Sequence, residues 1–375
     1  MPDEALPPTE AAPATSQKVD FPCQTCGAKL TWDPEHDSLA CEYCGTKRPV
    51  PRGEGTIVER ALEDAGSALR GLGVEMRAAK CANCGARVCF ATTSTAERCV
   101  YCGSSNVLAQ EANRNALRPE SLVPLDLSKA QVEERFRKWL HGLWFRPSEL
   151  KKTRDFQAVG IYVPFWTFDC RVHSDWSADA GHYYYVTVPK MVMVGGKMKM
   201  RMVQERRVRW VPAWGKRDDA YDDELVCASG LAPELMAKLG GFATKALVPY
   251  RPEYLAGWRA EEYQLDLEQG WQRAQVTVVE SQKSRCAGDV PGDTHRNLRV
   301  KNTIQGVRWK HVLLPVWSLQ YRFKGETFTV LVNGQNGCVA GKAPISWAKV
   351  ALTVLGVGLA VLAVLAILAL AGAMG

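Results

Sequence analysis

The chain has 375 residues, 46% hydrophobic and 23% charged, with 12 tryptophans and 13 cysteines. That apolar mass predicts two or three folded units and excludes wholesale disorder. The net charge of +7 is concentrated: residues 190–217 hold nine Lys/Arg against Glu205 alone, so an electrostatic partner must meet that segment and the rest of the chain is close to neutral.

Residues 1–20 carry four prolines, four acidic side chains and one lysine, with no apolar run; they read as a disordered N-terminal tail and not as a secretory signal. Two cysteine quartets follow. Cys23, Cys26, Cys41 and Cys44 form one, and Cys81, Cys84, Cys99 and Cys102 the other; each reads CxxCG…CxxCG with fourteen residues between the inner cysteines. Four thiolates suit a tetrahedral zinc ion, and the glycine of each knuckle admits the bend that turns backbone amides toward sulfur. The spacing therefore predicts two structural Zn2+ ions per chain, in ribbons over residues 21–52 and 79–110, each with a β-hairpin between its knuckles. Closed four-thiolate sites leave no open coordination position, so catalysis at these metals is not expected. The remaining cysteines, Cys89, Cys170, Cys227, Cys286 and Cys338, read as ordinary buried residues. Between the ribbons, residues 53–78 read as a linker helix, because Ile57, Ala61, Ala65, Leu69 and Leu72 recur at helical spacing over 56–72.

Residues 118–342 are rich in short β-type runs and predict an α+β domain of two similar halves. In the first, Leu125-Asp126-Leu127 precedes a helix whose Ser128 and Gln131 resemble a capping box and whose Val132, Phe136, Trp139 and Leu140 share a face; it leads to the run Tyr162 to Phe168. In the second, Leu265-Asp266-Leu267 precedes a helix through Trp271, Ala274 and Val278 that leads to the run Leu313 to Leu319. Between them, strictly alternating strands flank Gly195-Gly196, a strong hairpin signal. Pairing across that turn puts Met191, Met193, Met198 and Met200 on one face, and Lys197, Lys199 and Arg201 with Val192 and Val194 on the other. Either the methionines turn inward and the charges face water, or the basic face, with Arg206, Arg207 and Arg209 close by, meets anionic lipid or nucleic acid.

From Val350 to the end no residue is charged, and about 25 helical residues reach roughly 37 Å, enough to cross a hydrocarbon core of about 30 Å. Residues 347–374 thus predict a transmembrane tail anchor. Trp347 falls at interface depth and Lys342 and Lys349 precede the span, which orients the N-terminal domains toward the cytoplasm at the inner membrane. A reducing compartment agrees with free thiolates.

No Walker loop, GxGxxG, HExxH or GxSxG motif is present, so no enzyme class is indicated. Asp289, Asp293, His295 and Arg296 form the nearest polar constellation, and Asp222-Asp223-Glu224 a second acidic one. Either holds a metal or does acid–base work, or is a turn whose Asp side chains bond their own backbone.

The paired CxxCG ribbons, YVPFWTFD, VPYRPEYLAGWRAEEY, the GD…GDTHR turn and HVLLPVWSLQYRF…VNGQNGCVAG together resemble a group of bacterial membrane-anchored TFIIB-type zinc-ribbon-containing proteins, also labelled primosomal-helicase-like. The resemblance covers roughly residues 20–346. It implies a scaffold at the inner membrane, associated with flotillin-like (SPFH) and phage-shock-type membrane-stress proteins, and it transfers no catalytic residue. The helicase label does not carry over, since the chain lacks a Walker loop. Three readings follow: a cytoplasm-facing, tail-anchored adaptor that binds proteins; a membrane-tethered nucleic-acid-binding protein; and an enzyme using the Asp289–His295 region. The near-neutral first ribbon, with few stacking aromatics beyond Trp32 and Tyr43, weighs against the second.

Overall fold

The computed structural model describes residues 21–53, 55–91, 98–152, 156–194, 197–230 and 233–373; the tail expected over 1–20 and the Gly195-Gly196 turn lie outside them. The chain is α+β. Strands β1 (Leu30–Asp33), β2 (Ser38–Cys41) and β3 (Lys47–Pro49) make a small antiparallel sheet. A second sheet takes β4 (Arg60–Ala61), β5 (Met76–Cys81), β6 (Arg87–Ala91), β7 (Val107–Glu111), β8 (Ser121–Leu122), β9 (Phe156–Val194), β10 (Lys197–Cys227), β11 (Val248–Pro249), β12 (Arg259–Glu261), β13 (Thr294–Phe323), β14 (Glu326–Asn333) and β15 (Val339–Gly341). The helices are α1 (Lys129–Gly142), α2 (Pro233–Ala237), α3 (Leu267–Asp289) and α4 (Trp347–Ala373).

The expected capping box at α1 forms, and α3 has one as well. Ser128 accepts from the Gln131 amide while the Gln131 side chain accepts from the Ser128 amide, and Asp266 and Gln269 do the same at α3. Two orphan amides are satisfied at each end, which fixes where each helix starts. Val132, Phe136 and Leu140 of α1 are buried, as are Ala274 and Val278 of α3.

Three strands dominate. β9 has 39 residues, β10 31 and β13 30, where an ordinary strand has about 5–6. At about 3.3 Å per residue, β9 runs roughly 125 Å along its own path. β13 pairs antiparallel with β9 from Tyr321 opposite Phe156 to Thr294 opposite Gly181, and β10 follows β9 from Cys227 opposite Phe165 to Lys197 opposite Val194. At the base, residues 310–319 of β13 are all buried, the pattern of a strand covered on both faces. Alternation sends Tyr162, Leu313 and Trp317 to one face, where they pack with α1 and with Phe21, Trp32 and Leu39 of the first ribbon. Ile161, Val163, Leu314 and Val316 face the other way and pack with Val88, Val100 and Tyr101 of the second ribbon. The two ribbons thus plug opposite faces of one sheet. Further out, α3 covers one face only: Tyr221 Oη donates to Gln282 Oε1 at 2.8 Å, and Arg217, Asp219, Arg285 and Asp289 form an ion-pair chain between β10 and α3. Beyond Gly181 no third strand accompanies β9 and β10 among the described residues.

The short strands are placed symmetrically. β8 lies parallel to β13 (Leu122 opposite Leu313) and β12 parallel to β9 (Ala260 opposite Tyr162). β9 and β13 meet with Pro164 opposite Leu313 and Pro315 opposite Tyr162.

The linker helix expected over 53–78 does not form. Its residues make β4, a 3-10 turn over Leu62–Ser67 and the start of β5. Tertiary contacts override the helical spacing: β4 pairs with β13, the Trp309 indole donates to the Ala61 carbonyl at 2.9 Å, and Lys310 Nζ meets Glu59 at 2.8 Å. Nor is the second ribbon a separate unit, because β6 pairs with β12 and joins the large sheet.

Gly160 lies in β9 opposite Trp317 because nothing larger fits: a Cβ there would approach Trp258 Cζ3 to 2.1 Å and Leu125 Cδ1 to 3.1 Å. Gly160→Ala is expected to cost about 2 kcal/mol through overpacking. Gly53→Ala, where a Cβ meets nothing, should be neutral. Thermal melts of the two variants in detergent check this; equal midpoints would show that Trp258 yields freely.

Candidate metal centres

Each CxxCG segment folds as the same knuckle. The glycine adopts a positive φ (Gly27 +73°, Gly45 +73°, Gly85 +78°, Gly103 +72°) and its amide donates back to the carbonyl of the first cysteine at 2.9–3.0 Å. The return amides close the loop, as in Cys41 N to the Thr46 carbonyl at 2.9 Å and Cys81 N to the Ala86 carbonyl at 2.9 Å. In the first quartet Cys23 and Cys44 Sγ lie 3.5 Å apart, as do Cys26 and Cys41; in the second, Cys81 and Cys102 are 3.6 Å and Cys84 and Cys99 3.5 Å apart. All four Sγ atoms of each quartet lie within 4.8 Å of one another. A tetrahedron with 2.3 Å metal–sulfur bonds has edges of about 3.8 Å, so each cluster can hold one tetrahedral metal ion. Polar groups aim at the sulfurs from outside: the Tyr101 amide reaches Cys99 Sγ at 3.5 Å and Asn83 Nδ2 reaches Cys102 Sγ at 3.6 Å. Four thiols at each cluster would fill a tetrahedral coordination shell.

The second centre is bound into the domain by buried polar contacts that cysteine spacing does not announce. Tyr101 Oη donates to Glu261 Oε2 at 2.8 Å, and Ser229 Oγ donates to both Glu261 oxygens at 2.7–2.8 Å. Burial pushes the Glu261 carboxyl up to about 7, against these hydrogen bonds, which pull it down. Gln320 Nε2 donates to the Cys99 carbonyl at 2.7 Å, and Ser318 and Thr329 donate to the carbonyls of Val100 and Tyr101. The first centre is held mainly through Trp32, whose amide donates to the Ala256 carbonyl at 2.9 Å and whose carbonyl accepts from the Trp258 indole at 3.0 Å.

The basic hairpin sits at the far end of β9 and β10. Met193 lies opposite Met198 and Met191 opposite Met200, while Lys199 lies opposite Val192 and Lys197 opposite Val194. Lys199, Arg201, Arg207 and Arg209 alternate onto one face and are exposed; Arg206 falls on the methionine face, over the Tyr183 ring at 4.3 Å. The expectation that the methionines turn inward is wrong. Met191, Met193, Met198, Met200 and Met202 are 53–73% exposed, beside Tyr183 and Tyr185. The reason is topological: β13 reaches along β9 only to Thr294 opposite Gly181 and α3 ends at Asp289, so among the described residues no layer covers either face of this ribbon. Its distance from α4 is equally topological. α4 starts beside the opposite end of the sheet, where Tyr321, paired with Phe156, donates to the Lys342 carbonyl at 3.3 Å. The short linker before α4 therefore ties the base of the sheet to that helix, with some 35 residues of strand between base and tip.

The other polar candidates do not converge. Asp289 pairs with Arg217 at 2.9 Å, Asp293 Oδ2 accepts from the Tyr183 amide at 2.7 Å, Arg296 pairs with Asp179 at 3.1 Å and lies over Trp210, and His295 is exposed opposite Ala180. Asp289, Asp293 and Arg296 each tie together neighbouring parts of the extended sheet and α3. Asp223 sits in the bulge after Tyr221, with φ 54°, and pairs with buried Lys310 at 2.6 Å.

Over 349 residues the chain is 27% identical to a Bacillus subtilis (strain 168) protein named Uncharacterized protein YdjG, covering 90% of this chain and 94% of that one. No family model and no solved structure matches the chain.

Proposed function

We propose that the chain is a zinc-stabilised adaptor, anchored in the bacterial inner membrane by α4 and facing the cytoplasm, that holds out a β arm to a protein partner. The observation that carries this reading is the arm's tip: a two-stranded ribbon with five exposed methionines and two tyrosines on one face, basic side chains on the other, and no covering layer among the described residues. Flexible thioether side chains suit an apolar partner surface, and contiguous exposed apolar patches mark interaction sites. The positive charge of residues 190–217 selects a protein surface with an acidic rim. Free thiolates in two closed quartets support zinc and a reducing compartment. The stretch Trp347–Ile367 of α4 is long and apolar enough to cross a bilayer, and its apolar part is not buried against the rest of the protein, which supports a membrane span. The symmetric placement of β8–α1–β9 and β12–α3–β13 supports an internal duplication. SPFH or phage-shock-type partners follow from the family resemblance alone.

Two zinc ions per chain are expected by metal analysis of the full-length protein; about one, or an iron–sulfur absorbance, would refute the assignment. For the arm, a photo-crosslinking residue in place of Met193 or Met200 is expected to trap one protein species in cells. The yield should fall when Lys199 and Arg201 become Glu, with metal content and melting unchanged. A nuclease-sensitive adduct at these positions would instead favour the nucleic-acid reading, and no adduct would defeat the adaptor reading.

A further inference from the structure

Around the first turn of α4, a second segment distant in sequence is strapped to the helix. The Ser346 amide donates to the Phe145 carbonyl at 2.8 Å, Lys349 Nζ donates to the Arg146 carbonyl at 2.8 Å, and Arg146 Nη1 donates back to the Ala343 carbonyl. The segment is the turn after α1, whose helix ends where the Leu143 amide bonds the Leu140 carbonyl. This clasp leaves no freedom for Trp144 and Phe145 to settle elsewhere, yet both remain in solvent: Trp144 is 71% exposed and Phe145 43%. They share that exposure with Ile345 and Trp347, the residues that lead into the apolar helix. Four large apolar side chains exposed together at one end of a helix make a patch of the kind that marks a protein or membrane contact. Their place is that of an interfacial belt, where an amphipathic ring sits at headgroup depth beside the entry of a spanning helix.

We propose that Trp144 and Phe145, together with Ile345 and Trp347, form a collar that seats the base of the folded domain in the bilayer interface. This rests on α4 spanning a membrane and adds a consequence that a single helix after a short linker does not supply. The clasp makes the start of α4 continuous with α1, α1 packs on the base of β9 and β13 through Phe136 and Tyr321, and the domain can no longer swivel freely about the linker. The collar thereby sets the direction in which the arm leaves the membrane. Arg146 and Lys349 complete the arrangement, since their cationic groups lie at the depth where basic side chains meet phosphates.

The test uses the full-length protein in native membranes, with p-benzoylphenylalanine replacing Trp144, Phe145, Trp347 or the exposed arm residue Trp214, one at a time. Lipid adducts read by mass spectrometry are expected at 144, 145 and 347 and absent at 214. Adducts at 347 without any at 144 or 145 would overturn the collar while leaving the span intact. Equal adducts at 214 and 144 would overturn it as a specific contact. Absence of adducts at all four positions would remove the span and the collar with it.

Discussion

Replacing Cys81 and Cys84 with serine is expected to unfold far more of the protein than replacing Cys23 and Cys26, although each double variant loses one metal ion. A structural four-cysteine site binds with on the order of 10 kcal/mol, comparable with the whole stability of a domain, about 5–15 kcal/mol. The difference lies in what each centre supports. The first ribbon has its own three-stranded sheet and meets the domain through the Trp32 hydrogen bonds and the apolar packing of Phe21, Trp32 and Leu39, so its loss strips one face and leaves the long strands paired. The second ribbon contributes β5, β6 and β7 to the main sheet, and its knuckle supplies the carbonyl acceptors for Ser318, Gln320 and Thr329 of β13 and β14. Without the metal these donors, and the buried Glu261, lose their partners together. Metal analysis should give one ion per chain in both variants. Hydrogen exchange should show the amides of residues 312–314 and 316–319 protected after the first change and exposed after the second. Equal protection in both variants would show that the second ribbon folds independently of the sheet.

Removing residues 185–206 and joining Tyr184 to Arg207 through an Asn-Gly turn is expected to abolish partner capture while leaving the fold alone. Tyr184 and Arg207 face each other across the ladder, so a two-residue hairpin turn can close there without changing the register. Among the described residues no third strand and no helix lies over the deleted segment, and its methionines are already in water, so little buried apolar area is lost. The retained Tyr183 amide keeps its bond to Asp293, which ties the end of the three-stranded region. Two metal ions, an unchanged melting midpoint and full membrane recovery should accompany the loss of the crosslinked species. A drop in melting midpoint would mean that the ribbon stabilises the body. Undiminished capture would place the partner site elsewhere.

Local signals were legible because their physics is local. Four thiols separated by two, fourteen and two residues can close a tetrahedron without help from the rest of the chain, and the same knuckle geometry recurs at all four CxxCG segments. Ser128 with Gln131, and Asp266 with Gln269, satisfy backbone groups within one turn. An uninterrupted apolar stretch reads as one long helix, and α4 (Trp347–Ala373) forms there. Alternation even set the cross-strand partners of the methionine hairpin, because side chains on a strand repeat every two residues.

What alternation does not contain is whether anything lies above a face. For the hairpin that depended on where β13 and α3 stop, about a hundred residues away, and they stop before reaching it. For residues 56–72 the helical spacing was real, but β13 offered Trp309 and Lys310 as partners for an extended chain, and pairing with a sheet outweighs the weak preference of a short isolated helix. The aspartates near His295 looked like a site because they are close in sequence; the strands spread them along an edge, each with its own partner. The clasp between residues 143–147 and the start of α4 joins segments some two hundred residues apart. Ligand spacing, caps and hydropathy are decided within a few turns of chain, whereas burial is decided by which layers meet, and only the tertiary structure brings those layers together.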